Sequence, residues 1–473
     1  MSHMKIEQLY TKCLSEAAYY IESEGEAAVI DPLRETAPYI ALAEAGGAKI
    51  KYVFETHFHA DFVSGHLDLA KKTGAEIVYG PGAEAGFPCT VAGDGELFPI
   101  GKIRIKVLHT PGHTFESSCF LLIDEDGKEK AVFTGDTLFI GDVGRPDLAI
   151  KGLLTEKDLA ALLYDSIHEK LLPLPDDIIV YPGHGAGSAC GKMISNETTD
   201  TIGHQKQTNY ALLAKTKDDF VKAVTSGLMP PPQYFPKNAR LNKTGYESID
   251  VVMDRALHAL SPETFALKAK KQQALVLDVR PAAAFAESFI PGAVNIGLDG
   301  QFAPWAGTLI TDMDRPILLV VPEGKAEETA LRLARVGYDH VIGYLSGGME
   351  AWEKAGFETD SIRQVSPNEL ATLLNMSAGL HILDVRRQSE FDSEHIMGVS
   401  SFPLDHIHRR IDELDKRGTY YIHCAAGYRS MIAASILRAA GFRNVINVTG
   451  GFQAIKDSKL VQVSEYKIPT TML

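Results

Sequence analysis

ETHFHADFVSGH, Glu55 to His66, follows the apolar run IKYVF at residues 50–54. A strand that ends in three histidines and two acids marks a sheet edge, where irregular backbone can aim side chains into one site. The pattern recurs downstream. His113 lies in HTPGHT, Asp136 in FTGD and His184 in YPGHG, each just past an apolar run. Together with His57, two positions before His59, they bring imidazoles and a carboxylate to successive strand ends. A first-row divalent metal requires that donor set, because neutral nitrogens bind it and a carboxylate offsets its charge. Any one of the sixteen histidines could be a surface residue; the ordered set points to a metal centre.

Around these motifs the chain up to about residue 190 is β-rich, with AAVIDP, KYVFET, AEIVYG, IRIKVLHT, KAVFTGD and DIIVYPGHG separated by Gly- and Pro-containing turns. From about 195 to 255 it turns polar and helical, and reads as a connector with MPPPQYFP as a rigid loop. Two similar segments follow: ALVLDVRPAAAFAESFIPGAVNI from Ala274 and LHILDVRRQSEFDSEHIMGVSSF from Leu380, with Asp278 matching Asp384. Strands alternating with helices imply parallel βαβ units, so the second half is a tandem repeat of small α/β domains.

The 473 residues are too many for one core. With 47 Lys plus Arg against 61 Asp plus Glu, the net charge of −14 argues against nucleic acid and anionic membranes as partners. Five scattered cysteines fit reduced thiols, and no apolar run is long enough to span a bilayer, so a cytoplasmic protein is expected. MSHM at the start reads as a cloning scar. GAGSACGK (185–192) lacks the spacing and the Ser or Thr of a phosphate loop, because Met193 stands there.

The ordered set resembles the metallo-β-lactamase fold superfamily, whose motif runs HxHxDH, then His, Asp and His. The resemblance implies an αββα sandwich over residues 5–255. Binuclear members bind a second metal with the last His of the first motif; Phe62 stands there, which implies a mononuclear centre. Within the superfamily the chain resembles the persulfide dioxygenases, which implies one Fe(II) held by His57, His113 and Asp136, with zinc as the alternative. It also places His59, Asp61 and His184 around the ligands or as further ligands, and Arg145 of IGDVGRPDL at the substrate. Two histidines and a carboxylate leave coordination positions for a substrate sulfur and O2. Zinc, with a filled d shell, cannot activate O2.

In YYIHCAAGYRSMIAASIL, Cys424 falls between an apolar strand and a helix, where backbone N–H groups and the positive helix end stabilise a thiolate. CxxGxRS after LDVR and before GG resembles the rhodanese family. That implies a sulfane-sulfur carrier at Cys424 in a domain over 365–465, with Gly427, Arg429 and Ser430 holding the anionic substrate. The first copy, 262–360, offers LLVVPEGKAEETALRLARVGY with no cysteine, so it cannot form the covalent intermediate. Both copies are expected as rhodanese-like α/β domains with parallel sheets.

The domain order resembles the multidomain bacterial persulfide dioxygenases. That resemblance implies O2-dependent oxidation of a low-molecular-weight thiol persulfide (glutathione, coenzyme A, bacillithiol or cysteine) to sulfite, with Cys424 exchanging sulfur between persulfide, sulfite and thiosulfate in sulfide detoxification. A dimer or tetramer is expected. The competing expectation is a zinc thioesterase of glyoxalase II type with an accessory sulfurtransferase.

Overall fold

Residues 16–30, EAAYYIESEGEAAVI, hold two apolar runs separated by Glu24 and Gly25. Both central residues adopt positive φ, 48° and 79°, the backbone that a two-residue hairpin needs to match strand twist. The strands β1 (Met4–Thr11), β2 (Glu16–Ser23), β3 (Glu26–Ile30), β4 (Lys49–Glu55), β5 (Glu76–Tyr79) and β6 (Thr90–Val91) form a sheet in that spatial order. It is antiparallel from β1 to β3 and parallel from β3 to β6. The structure, a computed structural model, describes residues 4–148, 155–376 and 379–468.

A second sheet contains β7 (Leu97–Ile100), β8 (Ile103–His109), β9 (Ser118–Ile123), β10 (Glu129–Gly135), β11 (Ile179–Pro182) and β12 (Asp200–Thr201), again side by side in chain order. Each strand sends alternate residues to opposite faces. Tyr19, Ile21, Phe54 and Val78 therefore meet Ile105, Val107, Phe120 and Phe133 between the sheets. Ala18, Tyr20, Val29 and Val53 face outward, where they pack with Tyr39, Ala43 and Leu69 of the helices Ala37–Gly46 and His66–Thr73. On the other outer face, Leu121, Val132 and Val180 pack with Ala160, Leu163 and Phe220 of Glu156–Ser166 and Lys217–Thr225. With apolar residues on both faces, these strands need helices on both sides. The result is the αββα sandwich. The strands β1, β2, β6, β7, β9 and β12 add to the six runs read from the sequence; β1 carries Lys5, Glu7 and Gln8 among its apolar residues and is only half-buried, which obscures its signal.

The chain divides into two compact units, Met1–Ile249 with Ala334–Gly337, and Asp250–Leu333 with Tyr338–Leu473. The second unit carries two sheets. In one, β13 (Ala259–Leu260), β14 (Leu275–Asp278), β15 (Val294–Asn295), β16 (Ile317–Val320) and β17 (Val341–Leu345) take the order β13-β17-β16-β14-β15. In the other, β18 (Arg363–Val365), β19 (His381–Asp384), β20 (Ser400–Ser401), β21 (Thr419–His423) and β22 (Asn444–Val448) take the same order, β18-β22-β21-β19-β20. All pairings are parallel. The repeat extends to single contacts. Arg280 Nη2 donates to Asp278 Oδ2 at 2.6 Å and to the Ser288 carbonyl at 2.8 Å, while Arg386 Nη2 donates to Asp384 Oδ2 at 2.6 Å and to the Glu394 carbonyl at 2.7 Å. No helix of the described residues is long and apolar enough to cross a membrane.

Candidate functional site

Beyond β4 the loop is held by buried polar groups. Thr56 donates its N–H to Asp31 Oδ1 at 2.7 Å and its hydroxyl to Oδ2 at 2.8 Å. Asn242, in the helix Phe235–Thr244, donates Nδ2–H to the His59 and Phe62 carbonyls, both at 2.7 Å, and its Oδ1 accepts from Ser64 N–H at 2.9 Å. One side chain thus satisfies three backbone groups that would otherwise be buried unpaired. The polar segment read as a connector therefore includes a brace of the histidine loop. Nothing local in NARLNKTG distinguishes Asn242 as buried; that follows from the helix docking there.

His57, His113 and Asp136 converge, with one donor atom from each lying within 4.8 Å of the other two. His57 Nε2 is 3.9 Å and His113 Nε2 3.5 Å from Asp136 Oδ2. The Thr56 hydroxyl hydrogen is committed to Asp31, so its oxygen accepts from His57 Nδ1–H at 3.0 Å. His113 Nδ1–H donates to the Arg145 carbonyl at 2.8 Å. Both rings therefore direct an Nε2 lone pair at the site, the outer-contact arrangement typical of metal-binding histidine. Asp136 Oδ2 is buried without a hydrogen-bond partner among the described residues. Burial opposes charge on Asp136, but His184, His57 and His113 outweigh it and hold the carboxyl well below its ordinary range. A buried unpartnered carboxylate oxygen beside two imidazole lone pairs suits a divalent cation. Two glycines permit the approach: a Cβ on Gly144 would meet the Asp136 carbonyl at 1.8 Å, and one on Gly183 would meet Asp136 Oδ1 at 2.7 Å.

The remaining histidines of the ordered set lie against carboxylates around this group. His184 donates Nδ1–H to Asp136 Oδ1 at 2.7 Å and Nε2–H to Asp61 Oδ2 at 2.8 Å. Burial disfavours its charge, yet the two carboxylates push its pKa well up. Asp61, His184 and Cys190 form a second convergent group, and Asp31, Glu55 and His59 a third. His59 Nε2 lies 3.1 Å from Asp31 Oδ1 and 3.5 Å from Glu55 Oε2. Against the effect of burial, these carboxylates raise His59 to about 9. Asp31, Glu55 and Cys190 were not among the expected site residues; Asp31 follows β3, Glu55 ends β4, and Cys190 lies in the loop between β11 and β12. Arg145 does not present a free guanidinium. It forms two hydrogen bonds with Asp147, at 2.6 and 2.7 Å, and donates to the Ala189 and Met229 carbonyls.

In the second unit Cys424 follows β21 and is buried. Gly427 N–H donates to Cys424 Sγ at 3.1 Å, and Gly427 takes φ of 109° to make that turn. The helix Tyr428–Ala439 starts directly behind it. Ser430 Oγ donates to the Gly427 carbonyl at 3.2 Å and braces the loop. Arg429 forms a two-pronged pair with Glu390, at 2.5 and 2.8 Å, and is thereby oriented and neutralised. In the first repeat, strand pairing places Val320 opposite Asp278 as His423 lies opposite Asp384. Val321 then stands where Cys424 does.

The metallo-beta-lactamase superfamily model matches residues 11–184, and the rhodanese-like domain model matches 261–355 and 366–458. A cytoplasmic hydroxyacylglutathione hydrolase of Arabidopsis thaliana is 36% identical over 186 residues, 38% of this chain and 67% of that protein. The mitochondrial persulfide dioxygenase ETHE1 of Homo sapiens is 32% identical over 212 residues, 44% of this chain and 74% of that protein. Among solved structures, a metallo-beta-lactamase from Staphylococcus aureus subsp. aureus COL matches with a TM-score of 0.64 and 32% identity, covering 73% of this chain and 99% of that one. The chain belongs to the metallo-beta-lactamase superfamily, and two rhodanese-like domains follow its lactamase-fold domain.

Proposed function

We propose that the chain is a two-site sulfur enzyme, with a mononuclear persulfide dioxygenase in the N-terminal unit and a sulfurtransferase working through Cys424 in the other. The observation that carries this reading is the pairing of a three-donor set, His57, His113 and Asp136, with Phe62 at the position of the second-metal histidine. Held there, Fe(II) would supply O2 activation and a coordination position for the persulfide sulfur. The protein groups do the rest. Thr56 and the Arg145 carbonyl fix the two imidazoles, and His184 holds Asp136 through Oδ1 so that Oδ2 stays available. The buried surroundings exclude bulk water and strengthen the electrostatic contacts.

The first reaction is R–S–SH + O2 + H2O → R–SH + HSO3⁻ + H⁺, with R a low-molecular-weight thiol carrier. In the second, sulfite attacks the outer sulfur of a Cys424 persulfide. The S–S bond breaks, its electron pair stays on Cys424 Sγ, and thiosulfate leaves; the reverse reaction loads Cys424. Gly427 N–H is placed to stabilise the thiolate that departs.

A second reading is a zinc hydrolase resembling the hydroxyacylglutathione hydrolases. It is favoured by the convergence of Asp61, His184 and Cys190 beside Asp136, which could hold a second metal. Oxygen uptake decides. Fe(II)-loaded protein given glutathione persulfide or coenzyme A persulfide is expected to consume O2 and release sulfite, with a zinc-loaded control silent. Absence of uptake with every persulfide, alongside hydrolysis of acylglutathione by the zinc form, would establish the second reading instead.

A further inference from the structure

The two rhodanese-like repeats keep the same turn but not the same thiol. Gly324 follows Val321 as Gly427 follows Cys424, and both glycines take positive φ, 74° and 109°, where a side chain would be strained. Behind the second turn runs the helix Tyr428–Ala439, and the first repeat grips it at two points. Tyr428 donates its hydroxyl to the Gly297 carbonyl at 2.8 Å, and Ser435 Oγ accepts from the Asn295 N–H at 2.9 Å. Tyr428 and Ser435 stand two turns apart on one helix face, so the pair fixes the helix both in rotation and along its axis.

The Tyr428 ring is seated as closely as its hydroxyl. A Cβ on Gly300 would collide with the ring atoms Cε1, Cε2 and Cζ, and one on Gly297 would press on Cε2 at 3.3 Å, so two glycines make room for the ring. The segment that receives it is held from behind. Arg332, in the helix Ala326–Arg335 of the first repeat, donates Nη1–H to the Leu298 carbonyl at 2.7 Å and Nη2–H to the Gly300 carbonyl at 3.3 Å. That helix follows a valine instead of a reactive thiol, and it serves the neighbouring loop. On the other side of Tyr428 the chain continues directly into Gly427, whose N–H donates to Cys424 Sγ at 3.1 Å. Direct contacts therefore lead from Arg332 through Gly300 and Tyr428 to the thiol, and none of them needs a cysteine in the first repeat.

We propose that the Cys-less repeat is the positioning frame of the Cys424 loop: residues 297–300 hold Tyr428, and through it keep the Gly427 N–H aimed at the Cys424 sulfur. Aim matters because a hydrogen bond weakens steeply as it bends, and a donor directed at a thiolate favours the ionised, reactive form. Tyr428 acts through Gly427 and is a positioning residue. The effect on turnover rests on the sulfurtransferase reading of Cys424; the effect on ionisation of the thiol does not.

The test uses the full chain and follows iodoacetamide alkylation of Cys424 against pH, read on its own peptide by mass spectrometry, beside thiosulfate–cyanide turnover and the denaturation midpoint. Tyr428→Leu is expected to raise the pH midpoint of alkylation by about one unit, as loss of one charge-assisted hydrogen bond would, and to lower kcat/KM by about 10–100-fold, as a small misplacement of a reacting group does. Gly300→Ala, a change in the repeat without the thiol, should move both readouts the same way. Tyr428→Phe, which keeps the ring and loses the hydroxyl, should fall between wild type and Tyr428→Leu. Adding Gly300→Ala to Tyr428→Leu should cost nothing further, since the ring that the new Cβ strikes is gone. A wild-type alkylation profile in both single variants overturns the proposal, whether turnover is retained or falls with the denaturation midpoint, and so do losses that simply add in the double variant. Shifted profiles in a protein whose wild type shows no thiosulfate–cyanide turnover would remove the sulfurtransferase reading and uphold the positioning role.

Discussion

The Phe62 ring lies against the His59 imidazole, with centroids 4.4 Å apart and planes inclined by 34°. Phe62 is fully buried, so an apolar wall closes this side of the His59 ring, and His59 is left to Asp31 and Glu55.

Replacing Phe62 with histidine should therefore open a second metal position beside Asp61 and His184. Zinc content by elemental analysis is expected to rise from one towards two per chain, while the metal-free variant loses about 1–3 kcal/mol of stability from the buried polar ring. Unchanged stoichiometry would show that something other than this ring limits metal number.

Asp136 and His184 touch each other, but the geometry gives them different tasks. Asp136→Ala removes a donor oxygen and should abolish iron retention and O2 uptake together. His184→Gln removes only the group that orients Asp136 and should weaken metal affinity by about 10–100-fold. Competition with a chelator of known affinity separates the two; equal losses would make His184 a ligand.

Asn242→Ala leaves the His59 and Phe62 carbonyls and Ser64 N–H without their partner. Buried groups of this kind cost about 1–3 kcal/mol each when unpaired, less than additively when relaxation is shared. We expect about 2–4 kcal/mol in chemical denaturation together with weaker metal binding, although Asn242 offers no ligand itself. Full metal affinity in this variant would show that the loop holds its shape without the brace.

Glu390 provides a pH signature. Burial pushes its carboxyl up, but the Arg429 guanidinium outweighs that and holds it below the ordinary value. A carboxylate whose folded pKa is depressed adds stability that is fully present above its unfolded pKa of about 4.3 and is lost as pH falls through the folded pKa. Sulfur transfer through Cys424 should therefore have an acid limb below about pH 4.3. In Glu390→Gln, Arg429 loses its charged partner, so turnover should fall at neutral pH and that limb should flatten. A variant with the wild-type acid profile would assign the limb to another group.

The sequence by itself determined the framework. Short apolar runs bounded by turns, among them 27–32, 51–56, 103–110 and 130–136, marked strands, and His57, His113 and Asp136 stand at or just past the ends of such runs. The offset between Asp278 and Asp384 exposed a tandem repeat whose two sheets prove to share one strand order. These features are legible because apolar runs, the turn residues that bound them and repetition along a chain are properties of the sequence itself. The tertiary structure decided the partners. Asn242, Asp31 and Glu55 became parts of the metal loop's surroundings, and Arg145, expected at the substrate, is held by Asp147 and backbone carbonyls. Arg429 is likewise tied to Glu390, 39 positions away. Which charge meets which depends on contacts between distant segments, and no periodicity encodes them; burial makes those contacts matter, since a polar group removed from water must find its partner wherever the fold brings one.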